Sequence, residues 1–161
     1  MAIIDKPSNY FNTKLTTGTG SSQSVTGLGF QPDWVWGKRR DSTGNNSLFD
    51  SVRGITKGLE SNNGGAEFTS TDYYSSFDSD GFTIAAGASG AGNGSGQTAV
   101  QWCWKAGGTV VSNTDGSITS SVSANQDAGF SIVSYTGTGS AATIGHGLGT
   151  TPAWVLVKER G

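Results

Sequence analysis

The chain has 161 residues, 34% of them hydrophobic and only 14% charged, with a formal net charge of −2. That balance excludes a nucleic-acid surface, which needs clustered positive charge to displace counterions, and no apolar run approaches the length that spans a bilayer as a helix. Twenty-six glycines interrupt every window that could carry a 3.6-residue period, so long helices are excluded as well.

What remains is an all-β expectation: an antiparallel β-sandwich of jelly-roll or concanavalin type. Five Trp, seven Phe and four Tyr supply the burial that a Ser/Thr/Gly-rich chain otherwise lacks. Residues 1–10 read as an N-terminal arm. Met1-Ala2-Ile3-Ile4 runs straight into Asp5-Lys6-Pro7, so no signal peptide is expected, and the protein is expected to be made in the cytosol.

Phe11 to Arg40 is written twice. Thr17-Gly18-Thr19-Gly20-Ser21 returns 119 residues later as Thr136-Gly137-Thr138-Gly139-Ser140. Gly27-Leu28-Gly29, Pro32, Trp34, Lys38 and Arg40 return 120 residues later, the last four as Pro152, Trp154, Lys158 and Arg160. Self-similarity at a fixed spacing marks a repeat. Residues 11–108 therefore read as one unit, 109–129 as a polar connector with short strands, and 130–161 as a second copy of the opening block. Each copy is expected to form a β-hairpin, one at each end of the sandwich. The second is expected to complete that sandwich or to dock on a neighbour.

Pro32 and Pro152 sit just ahead of the Trp strands, where a missing N–H costs the ladder least. Ala153, Val155 and Val157 alternate with Trp154, Leu156 and Lys158, so this strand is expected to be covered on both faces or to lie at an interface. Core packing is preferred over a ligand platform for the paired tryptophans, and Trp34, Trp102 and Trp104 are read as core. Lys38-Arg39-Arg40, followed at once by Asp41, reads as a solvated strand end.

Asp50 and Arg53 are spaced to pair across a tight turn beside the Trp strand. Leu59–Asn63 and Ala66–Thr69 read as a strand end and a return strand around Gly64-Gly65. Phe77 to Ile84, with Asp80-Gly81 between aromatics, reads as strand–turn–strand. Residues 85–96 are the most Gly-rich and flexible-looking part. Gly94-x-Gly96-x-x-Ala99 imitates a dinucleotide fingerprint but is followed by a strand rather than a helix, so it fails on context. The loop remains a candidate contact surface, with Asn93 in it. Asn45-Asn46-Ser47 and Asn93-Gly94-Ser95 read as turns.

No enzyme, cofactor or metal is expected. Cys103 is the single cysteine, and it reads as a buried, inert thiol between Trp102 and Trp104. His146 is the single histidine and has no Gly-x-Ser-x-Gly elbow to serve. Asp78 with Asp80, and Glu60 with Glu67, leave a two-carboxylate glycosidase open. Asp78-x-Asp80-Gly81 is a fragment of a calcium loop without its later oxygen ligands.

Six strings, in order, carry a resemblance: Gly29–Trp36 (GFQPDWVW), Leu48–Gly54 (LFDSVRG), Ser76–Thr83 (SFDSDGFT), Val100–Gly108 (VQWCWKAGG), Ser123–Val133 (SANQDAGFSIV) and Gly145–Gly149 (GHGLG). Together the chain from Phe11 onward resembles the β-rich repeat domain of virion structural proteins, chiefly tail-fibre and appendage proteins of marine and environmental tailed phages. The resemblance implies a structural or host-contact role on the virion and no reaction. Assembly in the host cytoplasm, homo-oligomerisation and contact with other virion proteins are expected with it. Members often continue through the second unit, whereas this sequence reaches only its first strands. The competing reading is a carbohydrate-binding module, in which Tyr73, Tyr74 or Trp36 would stack on a host glycan. A subunit of a non-viral extracellular filament is a third.

Overall fold

A computed structural model describes residues 4–161; the first three residues of the expected arm lie outside the described residues. Pro7–Asn9 make one 3-10 turn, and twelve strands follow. They are β1 (Phe11–Thr17), β2 (Gln23–Val25), β3 (Trp34–Arg39), β4 (Ser47–Asp50), β5 (Lys57–Glu60) and β6 (Phe68–Thr69). After these come β7 (Tyr74–Asp78), β8 (Gly81–Ile84), β9 (Thr98–Trp104), β10 (Val111–Asn113), β11 (Ser120–Asn125) and β12 (Phe130–Ser134). The chain is an all-β antiparallel sandwich. A six-stranded sheet runs in the order β1-β9-β3-β4-β5-β6, and two three-stranded sheets run β2-β8-β7 and β10-β11-β12.

Strand alternation sends the residues of the large sheet to two different cores. On one face Val35, Phe49 and Cys103 meet Val25, Phe82, Ile84 and Tyr74 of the β2-β8-β7 sheet, with Leu28 and Phe30 filling between. On the other face Trp34, Leu48 and Leu59 are buried, and Trp36, Trp104, Phe130 and Ile132 pack against them. Phe130 and Ile132 come from β12, so the third sheet rests on the tryptophan side of the large one. The start of β3, Trp34 and Val35, is therefore covered on both faces.

The first repeated block does not close as the expected hairpin. β9 is inserted between its strands, pairing with β1 from Phe11↔Trp104 to Thr17↔Thr98 and with β3 from Trp34↔Trp104 to Arg39↔Ala99. β2, in turn, leaves for the other sheet and pairs with β8. The second block is not a hairpin either. β12 pairs with β11 of the polar connector, while residues 151–161 form no ladder. Trp154, Val155, Leu156 and Val157 are 65%, 65%, 44% and 69% exposed, so the expected covering on both faces is absent among the described residues. The tail is held instead by polar contacts. Lys158 Nζ donates to the carbonyls of Asn63 and Gly65, at 3.0 and 2.9 Å, and Glu67 N–H donates to the Arg160 carbonyl at 2.8 Å.

The Gly-rich stretch 85–96 keeps exposed residues at 86–87, 89–90 and 95–96 but is pinned at its centre. Ala88, Ala91 and Asn93 are buried, and Gly18 N–H and Gly96 N–H exchange hydrogen bonds with Gln97 and Gly18 carbonyls. A Cβ on Gly18 would run into the Gly94 carbonyl, so glycine here permits two backbones to touch.

A chain ending at Gly129 would lose β12 and uncover the Trp34–Trp104 side of the large sheet. It is expected to melt well below the parent, and Phe130→Ala alone is expected to cost about 1–3 kcal/mol. Calorimetry in which the shortened chain matches the parent would show that β12 is an appendage.

Candidate functional site

The site is built on the register of three strands. Trp34 lies opposite Trp104, Trp36 opposite Trp102, and Phe11 opposite Trp104 on the far edge. Period-two alternation then places all five rings on one face. Ring centroids are 4.5 Å apart for Trp34 and Trp104, 4.8 Å for Phe11 and Trp104, and 5.9 Å for Trp34 and Trp36. Phe130 stacks over Trp34 at 5.8 Å and 19° between planes. Trp36 meets Trp102 edge to face at 6.2 Å. The row thus has a covered end under β12 and a half-open end at Trp36 and Trp102.

Of the tryptophans expected in the core, Trp34 is buried, whereas Trp102 and Trp104 are only partly so. The half-open end carries a polar neighbour: Trp36 Nε1 donates to Asn46 Oδ1 at 3.4 Å. Leu15 lies along the same face and is 65% exposed.

The four residues expected at a contact surface divide in two. Trp36 and Tyr73 are part-exposed, Trp36 on the tryptophan face and Tyr73 packed against the opposite core beside Phe49, 4.8 Å between centroids. Tyr74 and Asn93 are buried and offer no contact surface. Tyr74 is 1% exposed in the main core, where burial raises its phenol far above the usual range and its hydroxyl has no partner. Asn93 is 0% exposed because its amide is structural. It donates to the carbonyls of Ser21 and Ala85, at 2.7 and 2.8 Å, and accepts from Thr19 N–H at 3.1 Å. It is the rivet between the first Thr-Gly-Thr-Gly turn and the Gly-rich loop.

Most of the carboxylates and the histidine already have partners within the protein. Asp80 accepts from Gly29 N–H at 2.6 Å and Gly27 N–H at 2.9 Å, and these two bonds hold its carboxyl below the usual range. Asp78 accepts from the Thr83 hydroxyl at 2.8 Å. Glu60 accepts from Asn45 and Asn63. His146 Nδ1 accepts from Leu148 N–H at 3.2 Å. Burial pushes the Cys103 thiol up to about 12, which leaves it inert at neutral pH. A crevice where Ala106–Gly108 meets Ala124–Asp127 has Asp33 in its lining. That carboxylate already accepts from Ser51 Oγ and Ala106 N–H, at 2.9 and 2.8 Å.

Among the described residues one ionic cluster is buried. Arg53 donates to Asp50 through Nε at 2.6 Å, to Glu67 through Nη1 at 3.0 Å and to the Leu48 carbonyl through Nη2 at 3.2 Å. The expected Asp50–Arg53 clamp is present, with side chains 6% and 7% exposed. Its extension to Glu67 and Arg160 had no sequence signal, because Glu67 lies 14 residues from Arg53 and 93 from Arg160.

Two measurements follow from this geometry. Trp34→Ala is expected to cost about 3–5 kcal/mol and Trp102→Ala about 1–2 in chemical denaturation, since the second ring has less to lose; equal losses would place both rings in the core. The Arg160 guanidinium, followed by that of Arg53, holds the Glu67 carboxyl below its ordinary 4.5. A depressed carboxylate contributes stability that is complete above its unfolded value and is lost as pH falls through its folded value. Acid titration of stability should therefore fall below about pH 4.5 in the parent and be flatter there in Glu67→Gln, whereas identical acid slopes would place the acid sensitivity elsewhere.

Among known proteins, neither the curated sequences nor the solved structures provide a match to the chain. A family model described as a domain of unknown function, DUF7483, matches residues 6–161, from the first 3-10 turn through the second repeated block. With almost its whole length matched, the chain belongs to the DUF7483 family.

Proposed function

We propose that this chain is a structural module of a tailed-phage virion, in a tail fibre, an appendage or a capsid decoration, and that it works by binding other polypeptides. The observation that carries the assembly reading is the run Trp154–Val157. Four consecutive large apolar side chains are exposed on a segment without a ladder. Monomeric surfaces seldom leave such a stretch uncovered, and it marks a place for a partner. The virion assignment is supported by the six ordered motifs that resemble phage appendage domains. The low charge and Ser/Thr/Gly-rich surface suit a particle component that stays dispersed outside a cell. In this reading the exposed run docks on another polypeptide of the particle, and the module acts outside the cell after assembly in the host cytoplasm.

A second reading rests on the half-open end of the tryptophan row. Trp36 and Trp102, with Asn46 beside them, have the makings of a stacking platform for a sugar ring on a sandwich of jelly-roll or concanavalin type. The two readings overlap, because an appendage that touches a host can hold a glycan.

Negative-stain electron microscopy of the purified protein separates them from a plain monomer. Decoration of phage particles is the expected outcome. Monodisperse single molecules that neither assemble nor label particles would remove the assembly reading. A glycan array silent for the parent, together with host adsorption unchanged by Trp36→Ala and Trp102→Ala, would remove the sugar reading.

A further inference from the structure

The two copies of the repeated block share the left-handed glycines of their turns but do not have the same neighbours. Gly20, Gly27 and Gly29 have φ of 78°, 79° and 85°, and their counterparts Gly139, Gly147 and Gly149 have 76°, 73° and 70°. The turn geometry of the block is thus present twice. In the first copy it is completed from a distance. Asp80 binds the N–H groups of Gly27 and Gly29, and β9 enters between β1 and β3. In the second copy no carboxylate bonds to Gly147 or Gly149 among the described residues, and no strand lies between the counterparts of β1 and β3.

The counterpart of β1 is β12, with Phe130 in place of Phe11. β12 is the terminal strand of its sheet. Its open edge is also the right one. At the two ends of β1, the Tyr10 carbonyl accepts from Lys105 N–H and Gly18 N–H donates to the Gln97 carbonyl, just outside β9, so Asn12, Lys14 and Thr16 direct their backbone groups towards β9. Their counterparts in β12 and just beyond are Ser131, Val133 and Tyr135. Asn125 and Phe130 close the β11–β12 turn, so Phe130, Ile132 and Ser134 face β11. Ser131, Val133 and Tyr135 therefore present free N–H and carbonyl groups outward.

The counterpart of β3 is the tail. Trp34 and Val35 are 8% and 0% exposed, and Trp154 and Val155 in the same places are 65% exposed each. In the first copy Leu15 and Lys38 face each other across Val100 of β9. Their counterparts are Ser134 and Lys158. Here the tail and β12 are linked by a side chain instead of a strand, with Arg160 Nη1 donating to Ser134 Oγ at 3.1 Å.

We propose that β12 and residues 153–159 are the two walls of a vacant strand slot. Its occupant is a segment with the chemistry of β9, an alternating Gln-Trp-x-Trp strand from a further repeat of this unit, bound antiparallel to both walls. The repeat itself names the occupant, because the same walls in the first copy hold Thr98–Trp104. A second copy of the chain is a poor source, since its own β9 is already bonded along both edges. One detail sets the shape of the second unit. Gly37 leaves room for the Tyr74 hydroxyl, and Val157 replaces it, so the occupant's inner face is accompanied by a smaller group there. The proposal rests on the repeat and its backbone edges and stands or falls independently of the virion reading.

The test is a full-length chain extended after Gly161 by a Gly/Ser linker and a copy of residues 98–106 carrying Cys103→Ser. Hydrogen exchange at 131–135 and 153–158 is the readout. Both segments are expected to slow by about 100-fold or more relative to the unextended chain, while a scrambled strand of the same composition leaves them fast. Val155→Asp, at an exposed position, should leave the melting temperature of the unextended chain unchanged and abolish the new protection. Should the extended chain aggregate, the synthetic peptide of residues 98–106 with the same Ser, titrated into the parent, gives the same readout. Exchange that stays fast with the matched strand, or slows equally with the scrambled one, overturns the proposal. Protection of 153–158 in the unextended chain that rises with concentration overturns it too, by making a second copy the occupant.

Discussion

The structure depends on one strand being bonded along both edges. β9 runs between β1 and β3 over Thr98–Trp104, and its inward residues Gln101 and Cys103 are fully buried. The Gln101 amide has its own partners, donating to Thr16 Oγ1 at 3.2 Å and the Ala91 carbonyl at 3.4 Å. An inserted strand satisfies two rows of backbone groups at once, each of which would otherwise be an open edge. It must also arrive from far along the chain. Neither β1 nor β3 has this neighbour until residues 98–104 are in place, so the large sheet closes through non-local contacts and is expected to form slowly for its size.

From that insertion the two faces follow. With β9 centred, Trp102 and Trp104 are brought beside Trp36 and Trp34 on one side, and Cys103 beside Val35 on the other. The first side becomes an aromatic row that the third sheet half covers, and the second becomes the main core. The buried Asp50–Arg53–Glu67 cluster ties β4 to the loop before β6, and Arg160 brings the tail to the same carboxylate. Removing one member of such a cluster leaves a charge without a partner in a place with little water, and this favours a single arrangement of the loops over several. Its fourth member is nearly half exposed, which makes the tail the least firmly held part of the cluster.

Much of the local structure was legible. The Asp80-Gly81 turn between β7 and β8, the short strands of the connector and the Asp50–Arg53 clamp each depend on residues within a few positions of one another. Such signals survive because turn chemistry and alternation act locally. The expected hairpins failed for the opposite reason. Two alternating runs joined by a Gly-rich turn look the same whether they pair with each other or flank a third strand, since alternation specifies faces and not neighbours. Asn93 and Tyr74 were misplaced similarly. A polar residue among glycines and a tyrosine beside a second tyrosine read as surface, and only the meeting of distant loops buries them.

The sequence by itself determined the fold class, the repeat and the positions of its turns, because composition, alternation and glycine placement constrain each short stretch independently. Tertiary structure alone decided which strand fills the repeated block, which rings are covered and which carboxylate holds the Gly-Leu-Gly turn. Those outcomes are contacts between segments 50 or more residues apart, such as Gly27 with Asp80 and Trp34 with Trp104. No short pattern encodes them, since each depends on which free edge and which face remain open once the rest of the chain has folded.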